Sequence, residues 1–327
     1  NAMYVITDEQ DRPLFQKRLP NELPTVLAAL APYRPRLKTV AIESTYNWYW
    51  LVDSLEDNGY PVVLANPAKM EQYDGIKEAN DLTDAAFLAH LARLKILPTG
   101  YIYPREDRPV RDLLRRRMLL VRYRTGLKLS LQNMVARQTG QSLGWRGVRT
   151  LDEDGRAELL GDNDCLPFVA THQVELIESL NEKIGLFEAK VLARVQLRPA
   201  YERLLTLPGV GVILALTIML ETGDIGRFET VGDYTSYCRC VRARHTSNGK
   251  KKGENNKRNG NAYLSWAFVE AVHHAIRCCP AAKRFYDRKV AKRNGALATK
   301  ALAAKWSKAA YYVMTRQEAF DLTRVFG

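Results

Sequence analysis

Three acids and one serine are the residues whose types and spacing suit phosphodiester chemistry. Glu43 ends a short apolar run, Thr39 to Ile42. That places it at the carboxyl end of an expected buried strand, where open α/β sheets put their ligands. Asp81 and Asp84 lie three apart at the expected start of a helix and share one face of its first turn. Carboxylates from a strand end and a nearby helix supply the hard oxygen donors of Mg²⁺, which takes one or two acids plus substrate phosphates. Two such ions activate a nucleophile and stabilise a leaving oxygen. The acids have a plainer reading as well, Asp81 as an N-cap and Asp84 as a favourable charge on the helix dipole. Ser247 lies in Arg244-His245-Thr246-Ser247-Asn248-Gly249. A serine in a loop that attracts phosphates can attack a phosphodiester and form a phosphoserine link; a turn-forming serine is the alternative. His245 is a base, a phosphate contact or a solvated loop residue.

The elements that must position these residues follow from the hydrophobic pattern. Met3–Thr7 and Leu14–Leu19 flank the polar turn Asp8–Pro13 and read as a β-hairpin. Lys38–Ile42 and Pro61–Ala65 are short buried strands on either side of a helical pattern, Asn47–Asn58, that stops at Gly59. Strand, helix and strand with short joins predict a parallel pair with a right-handed crossover. Asp81–Lys95 is the next helix, with Leu82, Ala85, Ala86, Ala89 and Leu91 on its apolar side. Residues 1–104 therefore form an α/β domain. Residues 105–196 carry two long helical patterns, Arg108–Gln138 and Pro167–Val195, about a polar stretch with four glycines, an expected helical hairpin. Residues 197–327 form a helical domain broken by a Gly/Asn/Lys-rich loop, Arg242–Asn261. In Pro208-Gly209-Val210-Gly211 the glycines either bring backbone amides to a phosphate or make a tight helix–helix turn. Cys238, Cys240, His245, His273, His274, Cys278 and Cys279 lack the paired spacing of a zinc site, and the cysteines read as buried free thiols.

Charge locates the partner. The 327 residues hold 49 Lys and Arg against 36 acids, a net of +13, with 46% hydrophobic residues. From Arg239 to Lys308 there are 18 basic residues and three acids, and from Arg105 to Lys128 nine and three. Outside these blocks the chain is net acidic. Positive charge gathered in two blocks marks a surface that tracks phosphates. Arg115, Arg116 and Arg117 in the first block are candidate nucleic-acid contacts. Arg242, Arg244, Lys250, Lys251, Lys252, Lys257 and Arg258 are the candidates in the second. The longest apolar run, Leu207–Leu220, is too short to span a bilayer. Five unevenly spaced cysteines give no disulfide framework. Secreted, membrane-spanning and fibrous classes are excluded, and a polyanionic partner is expected.

Taken in order, the motifs resemble those of the insertion-sequence "one-ten" family of transposases, relatives of the pilin-gene invertases. The resemblance rests on Ala41-Ile42-Glu43-Ser44-Thr45 with the aromatic cluster Tyr46–Trp50, Asn66-Pro67 and Asp81-Leu82-Thr83-Asp84-Ala85. In the second half it rests on Leu207–Gly211, Asp224-Ile225-Gly226-Arg227-Phe228, Thr246-Ser247-Asn248-Gly249 and Lys257–Asn261. It implies a RuvC-like (RNase H-like) mixed-sheet domain, a long helical hairpin and a helical transposase domain, so α/β plus all-α. It further implies a DEDD set binding Mg²⁺ in which Glu43, Asp81 and Asp84 are the second to fourth acids, with Ser247 as the nucleophile. The family's first acid lies in a Gly-Ile-Asp strand ahead of the hairpin, before the position of Asn1; Asp8, in the turn, is a poor substitute. Asn80 stands where the family usually has Thr. The partners implied are target and donor DNA, a structured guide RNA and further copies of the chain, as a dimer or tetramer. The place implied is the bacterial cytoplasm, at the nucleoid when acting. A RuvC-like metal-dependent nuclease and a non-catalytic nucleic-acid-binding architectural protein are the alternatives.

Overall fold

The computed structural model describes residues 1–45, 47–67, 70, 80–161, 164–241, 244–247, 250–254 and 259–326, the strands at 244–247 and 250–254 by backbone only. The chain divides into two units, Asn1–Tyr103 with Lys257–Asn259, and Pro104–Asn256 with Gly260–Gly327.

In the first unit β1 (Ala2–Thr7) and β2 (Pro13–Leu19) pair antiparallel. Asp8 holds the turn between them by accepting from the Gln10 and Arg12 amides at 2.8 and 2.9 Å. The unforeseen helix α1 (Leu23–Leu30) follows, with proline in its first turn where no backbone donor is lost. β3 (Val40–Glu43) and β4 (Val62–Ala65) pair in parallel register, Glu43 opposite Ala65. The helix α2 (Trp48–Asp57) joins them and buries Val52 and Leu55, three apart on the face it turns to the strands. It ends as expected, the Gly59 and Tyr60 amides closing on the carbonyls of Glu56 and Leu55. Helix α3 (Asp81–Arg93) packs on β1 and β3. The apolar core here is Ile6, Val26, Leu30, Ile42, Val52, Leu55, Tyr60 and Leu64.

Among its described residues the second unit is helical apart from one hairpin. α4 (Arg108–Thr139) and α7 (Cys165–Arg194) pack side by side along much of their length. The stretch between them, expected to be irregular, holds two short helices, α5 (Trp145–Thr150) and α6 (Glu153–Leu160), the second capped by Asp152. α8 (Pro199–Leu205) leads to α9 (Val212–Thr222), buried on every side from Leu214 onward. α10 (Val231–Tyr237) precedes β5 (Arg244–Ser247) and β6 (Lys250–Glu254). The expected loop Arg242–Asn261 thus contains an antiparallel hairpin, which backbone pairing forms without the hydrophobic alternation that usually announces strands. α11 (Ala262–Cys278), α12 (Pro280–Val290), α13 (Gly295–Arg316) and α14 (Leu322–Phe326) complete the unit. Trp306, Tyr234 and Phe268 are the largest side chains of its main core.

Candidate functional site

Two elements bring the acids into one region. Glu43 is the last residue of β3, and Asp81 and Asp84 are in the first turn of α3, which packs against that strand. The cap of α3 is Asn80, not Asp81 as its plainer reading had it. The Asn80 side chain accepts from the Leu82 and Thr83 amides, both at 3.0 Å, and the Asn80 backbone N–H donates to Thr83 Oγ1 at 3.0 Å. This reciprocal capping box fills the orphan donors of the first turn. Both aspartates are left exposed.

The hairpin holds α3 at both ends. Arg18 on β2 donates to Asp81 Oδ2 at 2.6 Å. At the other end His90 and Arg93 grip Asp11 of the turn at 2.8 and 2.7 Å. Partial burial, then the charges of Asp84 and Asp81, push the Glu43 carboxyl above its ordinary range. Carboxylates are hard donors of the kind a divalent cation takes. Among the described residues no three His, Cys, Asp or Glu side chains form a ready metal-binding group. As placed, the three acids supply oxygen donors of the kind a divalent metal takes without by themselves completing a site.

Ser247 is the last paired residue of β5, opposite Lys250, and Arg244 pairs with Glu254 at the base of the same hairpin. Lys250, Lys251 and Lys252 follow on β6. Arg242, Asn248, Gly249, Lys257 and Arg258 lie outside the described residues, as does Tyr46 of the aromatic cluster. The hairpin and the acids belong to different units.

The arginine trio on α4 is split by its partners. Arg115 donates from Nε and Nη2 to Glu221 at 2.5 and 2.8 Å. Arg117 donates from Nε and Nη2 to Glu188 Oε1 at 2.9 and 2.6 Å. Only Arg116 of the three is exposed. For Arg115 and Arg117 the contacts found are thus internal carboxylates, since the helical period turns both toward neighbouring helices. Burial pushes the Glu221 carboxyl up, but the Arg115 hydrogen bond, the charges of Arg111 and Arg115, and the Asn261 amide outweigh it and hold it low.

One cationic cluster went unremarked in the sequence. Arg288, Lys289 and Lys305 stand around the ring of Phe285, 5.9, 5.5 and 5.3 Å from its centre. Partial burial, then Lys308, Arg288 and Lys289, lower the Lys305 ammonium below its ordinary value. Its signal was present as an aromatic, Phe285, with basic residues at i+3 and i+4, but the gathering of α12 and α13 is a tertiary fact. The five cysteines are free thiols; Cys238 and Cys279 are buried as expected, but Cys278, at the last turn of α11, is exposed. Burial pushes Cys240 up to about 12 and Cys238 well above its usual value, the behaviour of protonated core thiols. No described helix is long and apolar enough to cross a membrane.

Comparison with known proteins extends these observations over most of the chain. Residues 2–138 match the DEDD transposase family of IS110, described as a transposase. Residues 201–287 match the family described as "Transposase IS116/IS110/IS902 family". A "Probable family 20 transposase" of Pseudomonas aeruginosa is 22% identical over 86% of this chain and 85% of its own. An "Insertion element IS110 uncharacterized 43.6 kDa protein" of Streptomyces coelicolor is 26% identical over 53% of this chain and 42% of its own. The "Transposase for insertion sequence element IS1111A" of Coxiella burnetii is 24% identical over 80% of this chain and 73% of its own. Between them the two matches cover about two thirds of the residues, and over both stretches the chain is similar to transposases of the IS116/IS110/IS902 family.

Proposed function

We propose that this chain is a transposase that cuts and rejoins DNA through a phosphoserine link, with Mg²⁺ held in part by a RuvC-like acidic set. The observation that carries the reading is the first turn of α3. Asn80 does the capping there, so neither Asp81 nor Asp84 is needed as a cap; both are exposed beside the end of β3, Asp81 with Arg18 as its partner. Glu43, Asp81 and Asp84 hold the cation, which when bound stabilises the charge that develops on the transferring phosphoryl group.

Ser247 supplies the nucleophile. Its oxygen loses a proton and bonds to phosphorus; the bond from phosphorus to the 3′-oxygen breaks, and that oxygen takes a proton. A DNA 3′-hydroxyl then attacks the phosphoserine and frees the serine, so no bond energy is lost to water. The hairpin lysines, Lys250 to Lys252, with Arg242, Arg244, Lys257 and Arg258, neutralise backbone phosphates around it. Arg116 on α4 and the Arg288–Lys289–Lys305–Lys308 cluster extend the same role. The partners in this reading are target and donor DNA and a structured guide RNA, engaged by a dimer or tetramer of the chain.

The test is a covalent-adduct assay on a nicked suicide substrate that carries the ends of the element encoding the chain. Ser247→Ala is expected to abolish adducts and Asp81→Ala with Asp84→Ala to abolish Mg²⁺-dependent cleavage, with DNA binding kept in both. Adducts that survive Ser247→Ala would refute the serine role. Cleavage without any adduct in the unaltered chain would favour the nuclease. Binding without cleavage under any metal would favour the architectural protein.

A further inference from the structure

Glu221, near the end of α9, is only 2% exposed, yet its carboxylate receives donors from two other elements. Arg111 Nε reaches it at 3.1 Å and Arg115 at 2.5 and 2.8 Å, all from α4. The Asn261 side-chain amide donates at 2.7 Å. Asn261 does three tasks at once. Its Oδ1 caps α11 by accepting from the Tyr263 and Leu264 amides at 2.8 and 3.1 Å, and its backbone amide donates to the Tyr237 carbonyl at 2.6 Å. One residue earlier the Gly260 carbonyl accepts from Arg239 Nη2 at 3.2 Å. Gly260 has φ +79, and a Cβ there would fall 2.5 Å from the Tyr237 carbonyl oxygen. Only glycine allows so close an approach. The Arg115 guanidinium also lies 4.2 Å from the centre of the Tyr263 ring, in the first turn of α11.

These contacts form a neck. The chain leaves it at Arg239, runs through β5, Ser247 and β6, and returns to it at Gly260 and Asn261. A carboxylate removed from water is costly unless donors surround it, and an apolar side chain would pack α9 at least as well. What the ionic network adds is direction: Asn261 can donate to Glu221 and cap α11 in only one orientation.

We propose that Glu221 and Asn261 are positioning residues that lock the root of the Ser247 hairpin to α4. The catalytic consequence rests on the serine reading of the proposed function; the lock itself rests on the contacts above.

Asn261→Asp is the discriminating variant. Aspartate caps a helix as well as asparagine, so α11 keeps its start, but the donor to Glu221 becomes a second carboxylate. Asn261→Ser, which also caps and is too short to reach Glu221, covers the case in which Asn261→Asp does not fold. Glu221→Gln with Asn261→Asp exchanges amide and carboxylate and restores the bond. Two readouts are taken on the full chain: the rate of tryptic cleavage after Lys250–Lys252, and the rate of adduct formation on the suicide substrate, with DNA affinity as control.

In the single variants trypsin cuts the hairpin at least tenfold faster, adducts form at least tenfold slower, and affinity stays within twofold. The exchange variant returns both rates to within about threefold of the starting protein. A wild-type cleavage rate in the single variants overturns the lock, and so does a loss that the exchange variant fails to restore. If the unaltered protein forms no adduct, the serine reading fails alone, because the tryptic readout still decides the lock.

Discussion

Gly209→Ala separates the two meanings of Pro208-Gly209-Val210-Gly211. Gly209 has φ +81, and a Cβ built there lies 2.2 Å from the Ala271 carbonyl oxygen and 2.5 Å from the Ala275 amide nitrogen, both backbone atoms of α11. Neither neighbour can swing aside as the end of a long side chain would. The left-handed backbone costs an alanine about 1–2 kcal/mol. Forcing α11 away from this turn adds about 1–3 kcal/mol of overpacking. Trp306, fully buried, donates from Nε1 to the Pro208 carbonyl at 2.9 Å, so any shift is passed on to α13. A total of about 2–5 kcal/mol lowers Tm by roughly 4–20 °C for a cooperative unit of this size.

Gly211 in the same motif is the control. It is the N-cap of α9 in an extended conformation, with no heavy atom within 4 Å of a Cβ placed there. Gly211→Ala is expected to cost no more than about 1 kcal/mol. The assay is thermal unfolding of both variants, paired with DNA titration at two salt concentrations well below the melting range. If Gly209→Ala melts with the starting protein but binds DNA tenfold more weakly, the packing argument is wrong and the glycine serves a phosphate.

Other perturbations follow from the same geometry. Asn80→Ala removes the α3 cap and costs the first unit about 1 kcal/mol in denaturant unfolding, while Asn80→Thr, which also caps, is close to neutral. Glu43 titrates above the ordinary carboxylate range, so between that range and its raised value the folded chain holds more protons than the unfolded one. Stability from this group therefore falls as pH rises through that window, and carboxyl NMR of Asp84→Asn is expected to move the Glu43 titration downward; an unmoved titration would refute the coupling. Arg288→Ala with Lys289→Ala is expected to reduce the salt slope of DNA binding by about 2, roughly one for each phosphate no longer neutralised, without sequence preference.

Local patterns were legible where burial imposes a period. The turn between β1 and β2, the β3–α2–β4 unit and the long helices α4, α7 and α11 could be placed because their apolar residues recur at strand or helix spacing. Short elements carry too few residues for a period. α1 has eight residues, and α5 and α6 contain Gly147 and Gly155, which usually argue against a helix. β6, Lys-Lys-Lys-Gly-Glu, has neither β-branched residues nor alternation, and its backbone partner decides it.

At the candidate site, spacing nominated Glu43, Asp81 and Asp84, and the structure packs α3 against β3. Their partners were not legible. Arg18 lies 63 residues from Asp81 and Arg115 lies 106 from Glu221, and an ion pair across such distances leaves no mark on local spacing. Asn80 was readable in principle, since Asn-x-x-Thr with reciprocal bonds is a capping box, but Asp81 stood one residue later with an equally good cap chemistry.

The helical hairpin is fastened unevenly. Near one end of the α4–α7 pair Val110, Leu114 and Val191 join the main core, and near the other Leu131, Met134, Val135 and Ile177 form a separate one with Val148, Leu160 and Ala170. Between them Met118 and Ile184 are buried without joining either cluster, and the helices meet through Arg117–Glu188 and Arg124–Asn181. Apolar contact strengthens slightly in salt whereas partly exposed charge pairs are screened over about 10 Å at 0.1 M. Rising ionic strength thus weakens the ion pair at the centre, Arg117–Glu188, and leaves the apolar contacts at both ends in place.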